Sequence, residues 1–312
     1  MVEEGASLGK KLRVDLILGV GGGSSIDAAK GIAALVPARG RFIDYVLPEY
    51  GGIKPVTKKA LPIIAIPTTA GTGSEVTNSG VIKDKKEKIK KVIASPFIFP
   101  KASIIDPQLM VSMPREVTIN SGMDALIQAM EAYTSNKTNL ISDAIALKAI
   151  NLIGGNLIKV VKNGKDIKAR TDMALGSTLA GIAISQAGVG AGHAIAMGIG
   201  GYYAIPHGLA LIMIYPEVMR INLTSVKEKY FDIAKILSEN VKNSYLREGA
   251  SRCIEYMRTL RKKLNVDLRL SKFGIKRKDI KNLINNSRNP DMNCNLRKFS
   301  DKDIEKILVS RL

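Results

Sequence analysis

A chain of 312 residues, 46% hydrophobic and 24% charged, has an ordinary globular composition with enough length for a large core and two domains. That composition excludes a disordered tail, a collagen-like fibre and a disulfide-stapled mini-protein. Lys and Arg number 47 against 28 Asp and Glu, a net charge of +19, which raises nucleic acid or an acidic surface as a possible class of partner.

The chain opens on Met1–Leu12, which reads as the middle of an amphipathic helix with no cap and no strand before it. This start lacks the basic-then-apolar form of a signal peptide, and no run of about 18 apolar residues follows anywhere. Val14–Val20 is a short apolar run bounded by glycine, as a buried parallel strand should be. Gly21–Ser25 then leads into Ile26–Leu35, of helical composition, and the Ser24/Asp27 pair predicts a capping box at the junction. A second strand–turn unit follows, with Leu61–Ile66 apolar and Pro67–Glu75 polar and glycine-rich. Val81–Ile93, crowded with lysine, predicts a hairpin with a solvated tip. Only two or three strands are available, so the parallel sheet is expected to be incomplete on its N-terminal side and to expose an edge.

From Asp106-Pro107 onward the period changes to that of helices. The predicted spans are Ile119–Ser135, Asp143–Val161, Asp172–Ile184, Val226–Val241 and Leu246–Leu264, then shorter ones at Lys278–Ser287 and Ser300–Ser310. Ser300 and Asp303 give the last one a capping signature. The expected organisation is an α/β domain over residues 1–107 and an all-α domain over 108–312. Residues 242–312 hold 19 Lys and Arg against 8 Asp and Glu, +11 of the total. Their aromatics, Tyr245, Tyr256, Phe273 and Phe299, are too scattered for a base-stacking platform, so a solvated basic face is expected rather than a nucleic-acid partner. Cys253 and Cys294 are the only cysteines, too few for a zinc ribbon or a disulfide framework, which fits a reducing, cytoplasmic setting.

Three features can carry chemistry. Both histidines of the chain, His193 and His207, fall in one apolar, glycine-rich segment, as a pair of metal ligands or as satisfied core residues. Asp124 and Gln128 share one helix face, with Glu131 a turn further on. An acidic residue among apolar positions calls for a counter-charge when buried, and Asp124 plus two histidines is a sufficient ligand set for Zn²⁺ or Fe²⁺ with an open position. Glu131 reads as a capping or salt-bridge residue. The glycine loops are the third feature: Gly21–Ser25 can present backbone N–H groups and a helix N-terminus to a phosphate, and Thr68, Thr69 and Thr72 offer further hydroxyls.

Taken together, GGGSSIDAAK at 21–30, PTTAGTGSEVTNSGV at 67–81, Asp106-Pro107, GMDALIQAMEAY at 122–133 and GHAIAMGIGGYYAIPHG at 192–208 resemble the successive signatures of the iron-containing (metal-dependent, group III) alcohol dehydrogenase family. The resemblance implies a dehydroquinate synthase-like, two-domain oxidoreductase. Such an enzyme transfers hydride reversibly between an alcohol and its aldehyde or ketone, using NAD or NADP and a divalent metal, iron or zinc. It implies that Gly21, Gly22, Gly23 and Ser24 hold the cofactor pyrophosphate, that Thr68, Thr69 and Thr72 line the nicotinamide side, and that Lys90 reaches the ribose. It implies Asp124, His193 and His207 as metal ligands, with Gln128 where many members have a histidine. Met197 also stands in place of a common histidine, which leaves the catalytic proton path unassigned. The family further implies a small alcohol or aldehyde substrate, no membrane, and a homo-oligomer. The family's usual upstream segment is missing before the first strand, so a shortened member is expected. The competing readings are a catalytically impaired fragment, or a polyol dehydrogenase or lyase of the same superfamily.

Overall fold

The computed structural model describes residues 1–312 except Lys85, Glu239, Asn240, Lys242, Asn243 and Asp267. Three strands, β1 (Ile17–Gly21), β2 (Ile63–Pro67) and β5 (Ala102–Ser103), form a parallel sheet in the order β1-β2-β5. Ile17 pairs with Ile63 and Gly21 with Pro67, so the glycine loop and the threonine loop leave the sheet side by side. Strand β5, two residues long, carries no period that sequence reading could detect. Strands β3 (Ser79–Asp84) and β4 (Ile89–Ala94) make the antiparallel hairpin expected from the sequence, and Lys85 at its tip lies outside the described residues.

Helix α1 (Val2–Leu12) packs on α2 (Gly23–Leu35) through Val2, Ala6 and Leu35. Helix α2 lies against β1, where Gly19 lets the helix approach: a Cβ there would sit 3.0 Å from the Ala29 Cβ. The capping box expected at Ser24 and Asp27 does not form. The N-cap is Gly22, without a side-chain hydrogen bond, and Ser24 is exposed in the first turn. Asp27 instead accepts from the Ser74 hydroxyl (2.6 Å) and the Val81 N–H (3.0 Å). One turn along, the fully buried Lys30 ammonium donates to Ser74 O, Ser74 Oγ, Thr77 Oγ1 and Ser79 O within 2.6–2.9 Å. A buried cation is tolerated when donors and charge are matched. Here it ties α2 to the segment that leads into β3.

The rest is helical: α3 (Arg115–Thr134), α4 (Leu140–Lys162), α5 (Ile167–Ala187), α6 (Ala191–Tyr202), α7 (His207–Asn222), α8 (Lys227–Leu237), α9 (Leu246–Lys263), α10 (Ile280–Asn286) and α11 (Asp301–Ser310). Seven of these match the predicted spans to within a few residues. Of the span Val226–Val241, residues 239 and 240 lie outside the described residues. Ser300 and Asp303 form the expected capping box. Helices α6 and α7 were not expected, because four glycines between Gly192 and Gly201 break the helical composition. Those glycines serve packing: a Cβ at Gly198 would meet Ser287 at 2.9 Å, and one at Gly201 would meet the backbone of Lys88 at 2.7 Å. Helix α4 is long and apolar enough on its own to cross a membrane, with mean hydropathy 1.5. It lies instead against α3 and α5, burying Ala146, Ile150, Ile153 and Leu157. The α/β part abuts the helices where Gly73 meets Gly181 and Gly71 meets Ser121, contacts too close for any side chain.

Candidate active site

A cleft of about 430 Å³ runs between the first turn of α2, the β3–β4 hairpin and helices α3, α6 and α7. Asp124 and Gln128 reach it from the buried middle of α3, His193 from the third position of α6, and His207 from the first position of α7. The His193 Nε2 lies 3.3 Å from Asp124 Oδ1, and His207 Nε2 lies 3.9 Å from the same oxygen. The two rings stand edge to face with centroids 5.3 Å apart. One ligand atom from each of Asp124, His193 and His207 falls within 4.8 Å of the others.

Glu131, one turn beyond Gln128, fixes this arrangement from behind. Its carboxylate accepts from the backbone N–H of Gly190 and of Gly192 at 2.7 Å and of His193 at 3.3 Å, which caps α6. It also lies 2.7 Å from His193 Nδ1. A carboxylate only accepts, so Nδ1 carries a hydrogen toward Glu131, and the ring is held with Nε2 turned toward Asp124 and His207. The carboxylate can come this close because Gly192 has no side chain: a Cβ there would lie 2.6 Å from Glu131 Oε1. The sequence placed Glu131 as a cap or salt-bridge residue, and it is the cap of α6.

Electrostatics in the site follow from burial. Desolvation opposes charge on His193, but the Asp124 and Glu131 carboxylates outweigh it and hold the ring's pKa up at about 10. His207 is pushed well below the ordinary imidazole value by burial, with the Lys90 and His193 charges adding to it. Burial also lowers Lys90, opposed by the Asp124 charge and reinforced by Lys83. Four buried polar atoms of these residues have no hydrogen-bond partner: Asp124 Oδ1, Gln128 Oε1, His193 Nε2 and His207 Nδ1, the last being the ring nitrogen other than the one that approaches Asp124. Gln128 is oriented by its Nε2, which donates to Thr72 O (3.3 Å). Buried polar groups without partners are rare and costly. One carboxylate oxygen and two imidazole nitrogens converging on one point form a set that a divalent cation satisfies.

Of the residues assigned to the cofactor, Ser24, Thr72 and Lys90 line the cleft, whereas Gly21, Gly22, Gly23, Thr68 and Thr69 lie in the loops behind it. Gly21 has φ +137°, and its carbonyl accepts from Thr68 N (2.9 Å). Gly22 backs onto Thr69, and a Cβ on Gly23 would lie 2.4 Å from the Thr72 hydroxyl. The two loops are thus one packed wall. With no side-chain cap and no acidic residue in its first turn, α2 leaves the N–H groups of Gly23 and Ser24 free to bind an anion, while that of Ser25 donates to Gly22 O (2.9 Å). Asp27, Ser74, Thr77, Ser79, Lys83 and Asp291 also line the cleft and were not singled out from sequence. Only their spatial convergence reveals them. Tyr203 and Ile205 border the cleft, and Met197 lines it on the α6 side.

Comparison with known proteins agrees with this geometry. Residues 1–107 match the family model described as iron-containing alcohol dehydrogenase, and residues 118–312 match the C-terminal model of the Fe-containing alcohol dehydrogenase family. The chain is 38% identical over 286 residues to an NAD-dependent methanol dehydrogenase of Bacillus methanolicus, covering 92% of this chain and 74% of that one. It is 38% identical over 307 residues to a 1,3-propanediol dehydrogenase of Citrobacter freundii, covering 98% of this chain and 78% of that one. A crystal structure of a 1,3-propanediol oxidoreductase superposes with TM-score 0.94 at 36% identity, covering all of this chain and 80% of the other.

Proposed function

Because the chain belongs to the iron-containing alcohol dehydrogenase family and is thereby an oxidoreductase acting on alcohols, we propose that the cleft is its active site, where NAD or NADP and one divalent cation meet a small alcohol or aldehyde. The observation that carries the assignment is the convergence of one ligand atom each from Asp124, His193 and His207 within 4.8 Å at the buried end of a cleft, with Asp124 Oδ1 and His193 Nε2 lacking any hydrogen-bond partner. Those three residues would hold the cation, iron or zinc, with the Gln128 amide oxygen beside them as a weak fourth donor.

A bound cation supplies Lewis-acid polarisation of the substrate oxygen, and the nicotinamide ring supplies or takes the hydride. The remaining work falls to the chain. Glu131 holds His193 in one tautomer and one orientation. The free N–H groups at the start of α2, in the wall formed by Gly21, Gly22, Gly23 and Ser24, receive the pyrophosphate. Thr72 and Lys90 lie on the path from that wall to the cation site, with Thr68 and Thr69 bracing the loop from behind. The apolar side chains of Val92, Ile184, Val189 and Ile205 keep the reacting end dry. We assign cofactor binding to residues 1–107 and cation binding to 108–312. With both thiols buried and free, the enzyme is assigned to the cytoplasm, as a homo-oligomer.

The test is turnover of short primary alcohols by the cation-loaded protein with NAD and with NADP, read as reduced nicotinamide. In parallel, the melting temperature is measured with and without added Fe²⁺ or Zn²⁺. A cation at about 100 times its Kd should raise stability by about 2.7 kcal/mol, and Asp124→Ala should lose both this shift and turnover. Full activity in cation-free protein, or a shift kept by Asp124→Ala, would overturn the assignment.

A further inference from the structure

The cleft holds an acidic side chain that this chemistry does not use. Asp291 sits in the turn Pro290–Cys294, with its N–H donating to Asn289 Oδ1 (3.2 Å). Asn289 Nδ2 in turn donates to Ala194 O (2.9 Å), one residue from His193. The turn is thereby pinned to α6, and the Asp291 carboxyl lines the cleft together with Asp124, His193, His207 and Met197. Among the described residues no side chain or backbone N–H donates a hydrogen bond to that carboxyl or forms an ion pair with it. Burial raises its pKa to about 6; the His193 charge opposes this and the Glu131 charge adds to it. Asp291 is half-buried, so its carboxyl stands open to the cleft as an acceptor that no group among the described residues has taken.

On the far side of Met197 and Lys90, which line both spaces, lies a second pocket of about 140 Å³. Its other walls are Tyr50, Ile89, Gly198, Asn285, Asn286, Arg288 and Asn289. Tyr50 is close enough to feel Asp291: burial raises its hydroxyl pKa first, and the Asp291 charge raises it further. These walls mix polar with apolar groups, and Asn289 is already committed, its Oδ1 to the Asp291 N–H and its Nδ2 to Ala194 O.

Resting on the function proposed above, we propose that Asp291 binds the far end of the substrate, which is a short alcohol carrying a second O–H or N–H donor. A plain alkanol of the same length leaves the carboxylate without a partner. Sites built to hydrogen-bond a substrate group discriminate strongly against the analogue that lacks it.

The test compares kcat/KM for 1-propanol, 1,3-propanediol and 3-amino-1-propanol, using the cation-loaded enzyme with its nicotinamide cofactor. The same substrates are tested with Asp291→Ala and Asp291→Asn. The wild type should favour at least one of the two donor-bearing substrates over 1-propanol by about tenfold or more, chiefly through KM. Asp291→Ala should bring that ratio close to one. Asp291→Asn separates the two donors, keeping a preference for the diol and losing one for the amine. Calorimetric titration of the three alcohols onto the enzyme with reduced cofactor reads the same discrimination without turnover. Equal or better use of 1-propanol by the wild type overturns the proposal, as does a ratio unmoved in folded Asp291→Ala. If Asp291→Ala does not fold, the Asn variant and the wild-type ratio decide. Failure to turn over any alcohol with NAD or NADP would instead sink the proposed function, and the calorimetric ranking would then decide the subsite alone.

Discussion

Glu131 shows how one side chain can settle both a local fold and a ligand's chemistry. Its two oxygens accept from three backbone N–H groups at the start of α6 and from His193 Nδ1. Charge-assisted bonds of this kind are roughly twice as strong as neutral ones, and a carboxylate at a helix N-terminus is favoured by the dipole. Glu131→Gln keeps the shape, removes the charge and leaves one accepting oxygen where there were two. The expected result is a Kd for Zn²⁺ raised about 10- to 100-fold, measured by chelator competition, with the helical circular dichroism signal unchanged. Loss of thermal stability with undiminished cation affinity would reduce Glu131 to a cap alone. From sequence, the residue read as either a cap or a salt-bridge partner. Its contact with His193 could not be seen, because it joins positions 62 residues apart.

The site is assembled by three helices, and its geometry is only as good as their packing. Gly208, the second residue of α7, is pressed against α3: a Cβ there would lie 1.9 Å from the Asn120 carbonyl oxygen. Gly208→Ala must move α7 away from α3, and His207 with it, widening the 3.9 Å approach to Asp124. The expected cost is about 1–3 kcal/mol in urea unfolding, together with weaker Zn²⁺ binding in titration. Unchanged cation affinity in this variant would show that His207 is not placed by the α3–α7 contact. At this scale the sequence was legible wherever packing agreed with composition. The long helices α3, α4, α5 and α9 keep a helix-forming composition over many turns. Helix α6 does not. Its glycines each disfavour a helix by about 1 kcal/mol relative to alanine, and close contacts with Ser287 and the hairpin backbone, which lie elsewhere in the chain, offset that. The misplaced capping box has the same origin. Asp27 had a local use as a cap, but the distant Ser74 hydroxyl and Val81 N–H took it.

For the molecule as a whole, charge and the sheet edge pull in opposite directions. Strand β1 ends the parallel sheet, and Leu18 and Val20 on it are 55% and 50% exposed, with Leu16 before it at 42%. Leu8 and Leu12 on nearby α1 are exposed as well, so an apolar strip accompanies an unpaired strand edge. Such edges are templates for pairing with another chain, as the short count of strands in the sequence led us to expect. A net charge of +19 on every copy resists that approach. Added salt screens the repulsion, with a Debye length falling from about 10 Å at 0.1 M to about 3 Å at 1 M, and leaves apolar contact intact. Self-association through this edge should therefore increase with salt, the reverse of association through ion pairs. Sedimentation velocity across that range should show a larger species growing with salt in the wild type, and much less of it in Leu18→Lys combined with Val20→Thr. Both positions are exposed on the strand, so the double variant should keep the fold and the cation-induced rise in melting temperature. Association that falls with salt, or that the double variant leaves untouched, would place the contact between copies elsewhere on the surface.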